Sequence, residues 1–94
     1  MVKKIAWSLL GLDRYKQILE FLILNWSLHT AEEFQKITEQ KLLLLAQFPH
    51  AGTSSIKNSR FRQLIIRKHN KLIYHVKKDT IFIVEIIDTR QKEK

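Results

Sequence analysis

The chain has 94 residues, 45% of them hydrophobic and 28% charged, with seventeen Lys and Arg against nine Asp and Glu and a net charge of +8. That length holds one core, so residues 1–94 read as a single globular domain rather than as two domains or a disordered segment. The lack of cysteine excludes disulfides, thiolate catalysis and cysteine-held zinc, and no segment approaches the ~18 consecutive apolar residues of a membrane span.

Residues 3–7 are apolar-rich and predict a first strand, with Ser8 placed to cap a helix that begins at Leu9. Leu12, Tyr15, Ile18, Leu19, Leu22 and Trp26 then recur at three- and four-residue spacing, the period of an amphipathic helix. Asn25-Trp26-Ser27 reads as its end. Thr30-Ala31-Glu32-Glu33 has the form of a capping box, in which the Thr30 hydroxyl serves a free amide and Glu33 reaches back. Phe34, Ile37, Leu44, Leu45 and Phe48 continue on one face until Pro49 stops the second helix, and Ala51-Gly52 makes a turn. A connection of about four residues predicts an antiparallel helical hairpin. Four successive leucines, Leu42, Leu43, Leu44 and Leu45, must cover more than one helix face, so at least one is expected at the surface or against a partner.

Residues 53–59 read as a loop. Three strands are predicted after it, over 61–68, 71–77 and 80–88, with turns at His69-Asn70 and Lys78-Asp79. Turns this short make antiparallel neighbours. The last strand is apolar on both faces, which predicts a central position or cover on both sides. The order strand, helix, helix, strand, strand, strand is an α+β domain with a helical hairpin packed on an antiparallel sheet.

The charge lies mostly in the strands: Arg60, Arg62, Arg67, Lys68, Lys71, Lys77 and Lys78 fall within nineteen positions. Such a field draws anionic partners, among them RNA, DNA, a ribosome or an acidic protein segment, and no segment has the clean amphipathic form of a membrane-surface helix. Met1-Val2-Lys3-Lys4 has the basic start of a secretory signal, but Ser8, Gly11, Asp13 and Arg14 break the apolar run that must follow, and a cytoplasmic protein is expected.

If the chain cleaves RNA, it needs groups to move protons and cations to hold phosphorane charge. His75, Arg62, Arg67 and Arg90 are the candidates for such a metal-independent endoribonuclease, with His69, Lys68 and Lys71 nearby in sequence. Lys71, Ile73, His75 and Lys77 alternate onto one face of their strand, which puts His75 beside basic groups. The alternative is that His69 is a turn residue and His75 an ordinary surface residue. Glu85 reads either as a buried carboxylate with a raised pKa or as the partner of a basic residue across the sheet. Trp7, Tyr15, Phe21 and Trp26 read either as base-stacking rings or as core and interface residues. No phosphate loop, metal-ligand spacing or nucleophile elbow is present, so neither a cofactor nor a metal is expected.

The ordered set of residues resembles the RelE/ParE superfamily of toxins from type II toxin–antitoxin modules. Trp7-Ser8 is similar to its first strand-to-helix junction, and Asp13, Ile18, Ala31 and Phe34 to its helical positions. Leu45, Phe48-Pro49 and Gly52 match its Leu…Pro-x-x-Gly punctuation, and Arg62, Leu64, Leu72-Ile73-Tyr74, residues 81–84 and Asp88-Thr89-Arg90-Gln91 match its strands. Two departures stand out: Gly11-Leu12 replaces an alanine common near the first helix start, and no His or aromatic residue follows Gln91, where ribonuclease members often have one. The ending is more similar to the ParE side, whose members poison DNA gyrase by binding. The resemblance implies a cognate antitoxin with an acidic, partly disordered segment, a toxin–antitoxin hetero-oligomer, and gyrase as target, with Arg60, Arg62, Arg67, Lys68, Lys71, Arg90 and Gln91 as the binding residues. Its alternatives are a ribosome-dependent mRNA endonuclease and an inactive basic nucleic-acid-binding domain.

Overall fold

The computed structural model describes residues 3–54 and 60–88. Seven elements follow one another: β1 (Lys4–Trp7), α1 (Leu9–Asn25), α2 (Leu28–Gln47), β2 (Thr53–Ser54), β3 (Arg62–Arg67), β4 (Asn70–Lys77) and β5 (Thr80–Asp88). The expected α+β architecture holds, with the helical hairpin on one face of a five-stranded sheet in the order β1-β5-β4-β3-β2. The sheet is not wholly antiparallel, because β1 runs parallel to β5. Thr53 and Ser54, expected in a loop, instead pair with Gln63 and Arg62 as a short edge strand. The rest of that predicted loop, residues 55–59, lies outside the described residues, as do Arg90, Gln91 and residues 92–94.

Ser8 does what its position predicts. Its backbone is extended (φ −71°, ψ 162°), and its hydroxyl oxygen accepts from the Gly11 amide at 2.8 Å. The same hydroxyl donates to the Val84 carbonyl at 2.6 Å, so the cap also ties α1 to β5. Ser8→Ala should therefore cost about 1–2 kcal/mol, a cap plus a tertiary hydrogen bond. A melting temperature lowered by about 4–8 °C for each kcal/mol is the readout.

The second cap differs from expectation. Ser27, not Thr30, takes the extended conformation (φ −167°, ψ 163°), and its hydroxyl accepts from the Thr30 amide at 3.0 Å. Only Trp26 and Ser27 separate the helices. Both residues are competent caps, but starting at Leu28 adds most of a turn while leaving Ala31 and Phe34 buried. Glu33 closes no capping box; it lies 3.2 Å from His29 Nε2, one turn back.

The core joins Phe34 and Leu45 of α2 to Ile66, Leu72, Tyr74, Ile81, Ile83 and Ile86 of the sheet, and Tyr15, Ile18, Leu19 and Leu22 of α1 close over it. Trp7 stacks on Tyr15 with centroids 5.2 Å apart, and Tyr15 meets Phe34 at 6.2 Å, so these rings belong to the interior. Leu12, Trp26, Leu44 and Phe48, expected on the buried faces, are exposed. Of the four leucines, Leu45 is buried and Leu43 is 69% exposed.

β5 is an interior strand, paired on both sides as its composition predicts, with β1 on one side and β4 on the other. Its two apolar faces have a local cause. Tyr74 pairs with Ile83 but Ile73 with Glu85, so Val84 is an extra residue in the ladder. This bulge reverses the alternation: Ile81 and Ile83 are buried before it, Ile86 and Asp88 after it.

Candidate functional site

β1 pairs with β5 only as far as Trp7 opposite Ile83. Beyond that point α1 runs beside the last residues of β5 and leaves a cavity of about 330 Å³ between Arg14, Gln17 and Phe21 on one side and residues 85–88 on the other. Across the cavity mouth Arg14 Nε stands 3.7 Å from Glu85 Oε2, with both side chains partly exposed. The partner of Glu85 thus comes from the helix, not from a neighbouring strand. An exposed pair of this kind adds little stability.

A second cavity, of about 300 Å³, opens where the helical hairpin meets the β3–β4 turn. Leu22 and Phe34 form its apolar floor with Thr30 beside them, Trp26 lines one wall, and Arg67, Lys68 and His69 lie at its rim. Leu22 and Asn70 border both cavities. Around the hairpin tip the surface is unusually apolar: Leu24 is 83% exposed, Trp26 70% and Leu28 59%. Exposed apolar residues beside cationic ones suit a partner that is itself amphipathic and acidic.

The basic residues of the strands do not form one patch. Arg67 and Lys68 gather at the β3–β4 turn. Arg62 pairs in register with Tyr74 and is drawn to the helix-side face, where its Nη1 donates to the Gly52 carbonyl at 2.7 Å. Lys71, opposite Ile65 and Ile87, and His75, opposite Phe82, lie on the face away from the helices. Lys77 and Lys78 fall at the far end of the sheet, where Lys3 Nζ donates to the Lys78 carbonyl at 2.7 Å. Arg60 is exposed. Of the residues proposed for RNA cleavage, Arg62 and Arg67 therefore stand on one side of the sheet and His75 on the other. His75 meets rings rather than cations: Phe82 stacks on it at 5.1 Å and Phe61 approaches edge-on at 5.8 Å. Among the described residues no group of three or more His, Asp or Glu is arranged to hold a metal ion.

At the other end of β3 is a lock that sequence spacing does not reveal. The buried Tyr74 hydroxyl donates to the Pro49 carbonyl at 2.8 Å and accepts from the Gly52 amide at 3.0 Å. With the Arg62 bond to the Gly52 carbonyl, it fastens the Pro-x-x-Gly turn to β3 and β4. Burial raises the Tyr74 pKa above its ordinary 10.0, while the Gly52 hydrogen bond and the Arg62 charge pull it partly back. Tyr15 is raised too, by burial and by the charge of Glu39. A raised folded-state pKa favours the protonated fold, so this stabilisation is whole below pH 10 and is lost as pH climbs through the folded value. Tyr74→Phe should cost about 2 kcal/mol at neutral pH, through two orphaned backbone groups, and should flatten the alkaline fall in stability. Urea melts at several pH values check both effects.

Known proteins share this fold. Among solved structures, the toxin–antitoxin system described as chromosomal ParDE from P. aeruginosa superposes with a TM-score of 0.78 at 15% identity, over 93% of this chain and 96% of that one. A conserved hypothetical protein from Helicobacter pylori superposes at 0.61 with 19% identity, over 96% and 97%. A copper-bound mutant toxin from the same organism superposes at 0.53 with 18% identity, over 97% and 98%. Identities this low show a shared fold. Among curated proteins, none matches the chain. The sequence model of the ParE toxin of type II toxin-antitoxin system, parDE, matches residues 5–93. The chain belongs to that ParE toxin family.

Proposed function

We propose that this toxin arrests growth by binding DNA gyrase, without catalysis of its own, and that a cognate antitoxin neutralises it in the cytoplasm by laying an acidic, partly disordered segment over the depression at the hairpin tip. The observation that carries the reading is the split between faces: Arg62 is engaged by the Gly52 carbonyl and Arg67 rims the helix-side cavity, while His75 sits among rings on the opposite side. A ribonuclease needs its proton carriers and its phosphate-binding cations around one scissile bond. A binding toxin needs only a shaped, charged surface. Arg67 and Lys68 supply the charge, and Trp26 and Leu22 the apolar purchase. An antitoxin segment that pairs carboxylates with the rim and places an apolar side chain in the cavity would cover both, and would order itself as it binds.

The reading is tested in cells. Expression should stop growth, and co-expression of the antitoxin should restore it. A variant carrying Arg67→Glu and Lys68→Glu should lose at least tenfold in antitoxin affinity. Equal neutralisation of this variant and the wild type would place the antitoxin elsewhere.

A further inference from the structure

The last part of β5 has an open edge that the hairpin-tip site does not use. β1 pairs with β5 only from Lys4 opposite Thr80 to Trp7 opposite Ile83. Ser8 ends that ladder: its amide donates to the Ile83 carbonyl at 2.9 Å, its hydroxyl donates to the Val84 carbonyl, and the chain then turns into α1. Past this point Glu85, Ile86 and Ile87 pair with Ile73, Leu72 and Lys71 of β4 on one side. On the other side, among the described residues, no strand meets them and no backbone hydrogen bond joins them to a loop. Neither proline nor lysine, the common guards of an exposed edge, stands among the three. Beside them lies the cavity of about 330 Å³ under α1, with Ile18, Phe21 and Ile86 in its lining. Arg14 at its mouth is half-exposed, and its ion pair with Glu85 is a long one at 3.7 Å.

We infer that an extended segment of the antitoxin adds as a strand along residues 85–87, places an apolar side chain in the cavity under α1 and sets a carboxylate against Arg14. The contact rests on the antitoxin reading above and carries the same chain past the hairpin tip. Three features select this occupant. A row of backbone N–H and C=O groups at strand spacing is answered by another extended backbone; a helix has already paired those groups within itself, and a nucleic acid has none. Leu22 and Asn70 line both this cavity and the one at the hairpin tip, so a chain lying over Arg67 and Lys68 reaches the β5 edge without leaving the surface. Arg14 is the cation at this end, and an acidic segment supplies its counter-charge at closer range than Glu85 does. The order gained on binding is then partly β-structure, with the main chain giving affinity and the cavity giving selectivity for one side chain.

Amide hydrogen exchange, followed residue by residue by NMR on the full chain alone and with its antitoxin, tests this directly. The antitoxin is the protein whose co-expression restores growth. At least one amide among residues 85–87 should exchange freely in the toxin alone and slow by about a hundredfold or more in the complex. Arg14→Glu should weaken antitoxin binding about tenfold, and Arg14→Lys should recover most of that loss. Lys16→Glu, an equal charge change at an exposed position on α1, should barely alter it. Because Arg14 is half-exposed, all three variants should melt close to wild type. If the antitoxin binds and depends on Arg67 and Lys68, but the amides of 85–87 exchange as before, the strand contact is wrong and the hairpin-tip site stands. If no antitoxin binds at all, both fall. Amides of 85–87 that slow in the toxin alone as its concentration rises would assign the edge to a second copy of the chain and overturn the inference.

Discussion

Gly52→Ala is expected to cost about 3–5 kcal/mol, a large part of the 5–15 kcal/mol that holds a domain of this size. The cause is space, since no glycine here has positive φ. A Cβ at position 52 would stand 2.5 Å from the Gln63 carbonyl oxygen and 2.8 Å from the Tyr74 hydroxyl. The first is backbone in the β2–β3 ladder and cannot step aside without breaking that pairing. The second is the centre of the lock on Pro49 and Gly52, so relief of the clash breaks hydrogen bonds that the fold depends on. A melting temperature lowered by more than about 12 °C is expected, at 4–8 °C per kcal/mol. Because the methyl and the Tyr74 hydroxyl act on one network, Gly52→Ala combined with Tyr74→Phe should cost less than the sum of the two singles. A Gly52→Ala protein melting within a few degrees of wild type would show that the turn is not locked in this way.

Phe34→Ala is expected to be of similar size, about 3–5 kcal/mol. The side chain is 1% exposed, lies against Tyr15 and belongs to the same cluster as Leu45, Leu72 and Tyr74. One turn later the buried Thr38 hydroxyl donates to the Phe34 carbonyl at 2.8 Å, within the same helix. The ring is also part of the floor of the hairpin-tip cavity. The substitution should therefore extend that cavity into the core and weaken antitoxin binding, whereas Arg67→Glu should weaken binding with little change in stability. A shifted urea midpoint with an unchanged slope would identify a local cavity in an intact fold.

Much of the fold is legible in the sequence because its signals are local. Ser8 announces a helix start, residues 71–77 alternate as strands must, residues 80–88 are rich in β-branched residues, and turns of two residues leave antiparallel pairing as the only choice. Features set by distant partners are not legible. The parallel pairing of Lys4 with Thr80 spans the whole chain. Thr30 and Ser27 are chemically equivalent caps, and tertiary packing decides between them. The reversal at Val84 comes from one extra residue in the ladder, which makes a two-sided apolar strand from two one-sided halves. The site fares the same way. That Lys71, Ile73, His75 and Lys77 share a face follows from alternation, but which face Arg62 joins depends on its register with Tyr74. The cationic residues consequently divide between two surfaces, although they are crowded together in sequence. Trp26 carries helical periodicity and reads as core, while the structure exposes it on the lining of a cavity beside Arg67; Phe34 is core, as its spacing predicts, and also reaches that lining.

The central claim, a toxin that works by binding gyrase, is tested most directly by adding purified protein to two reactions: DNA supercoiling by gyrase, and translation of a defined mRNA on ribosomes. The account predicts that supercoiling stops at stoichiometric toxin, that antitoxin restores it, and that the mRNA remains intact. Cleavage of the mRNA on ribosomes with supercoiling unaffected would contradict it.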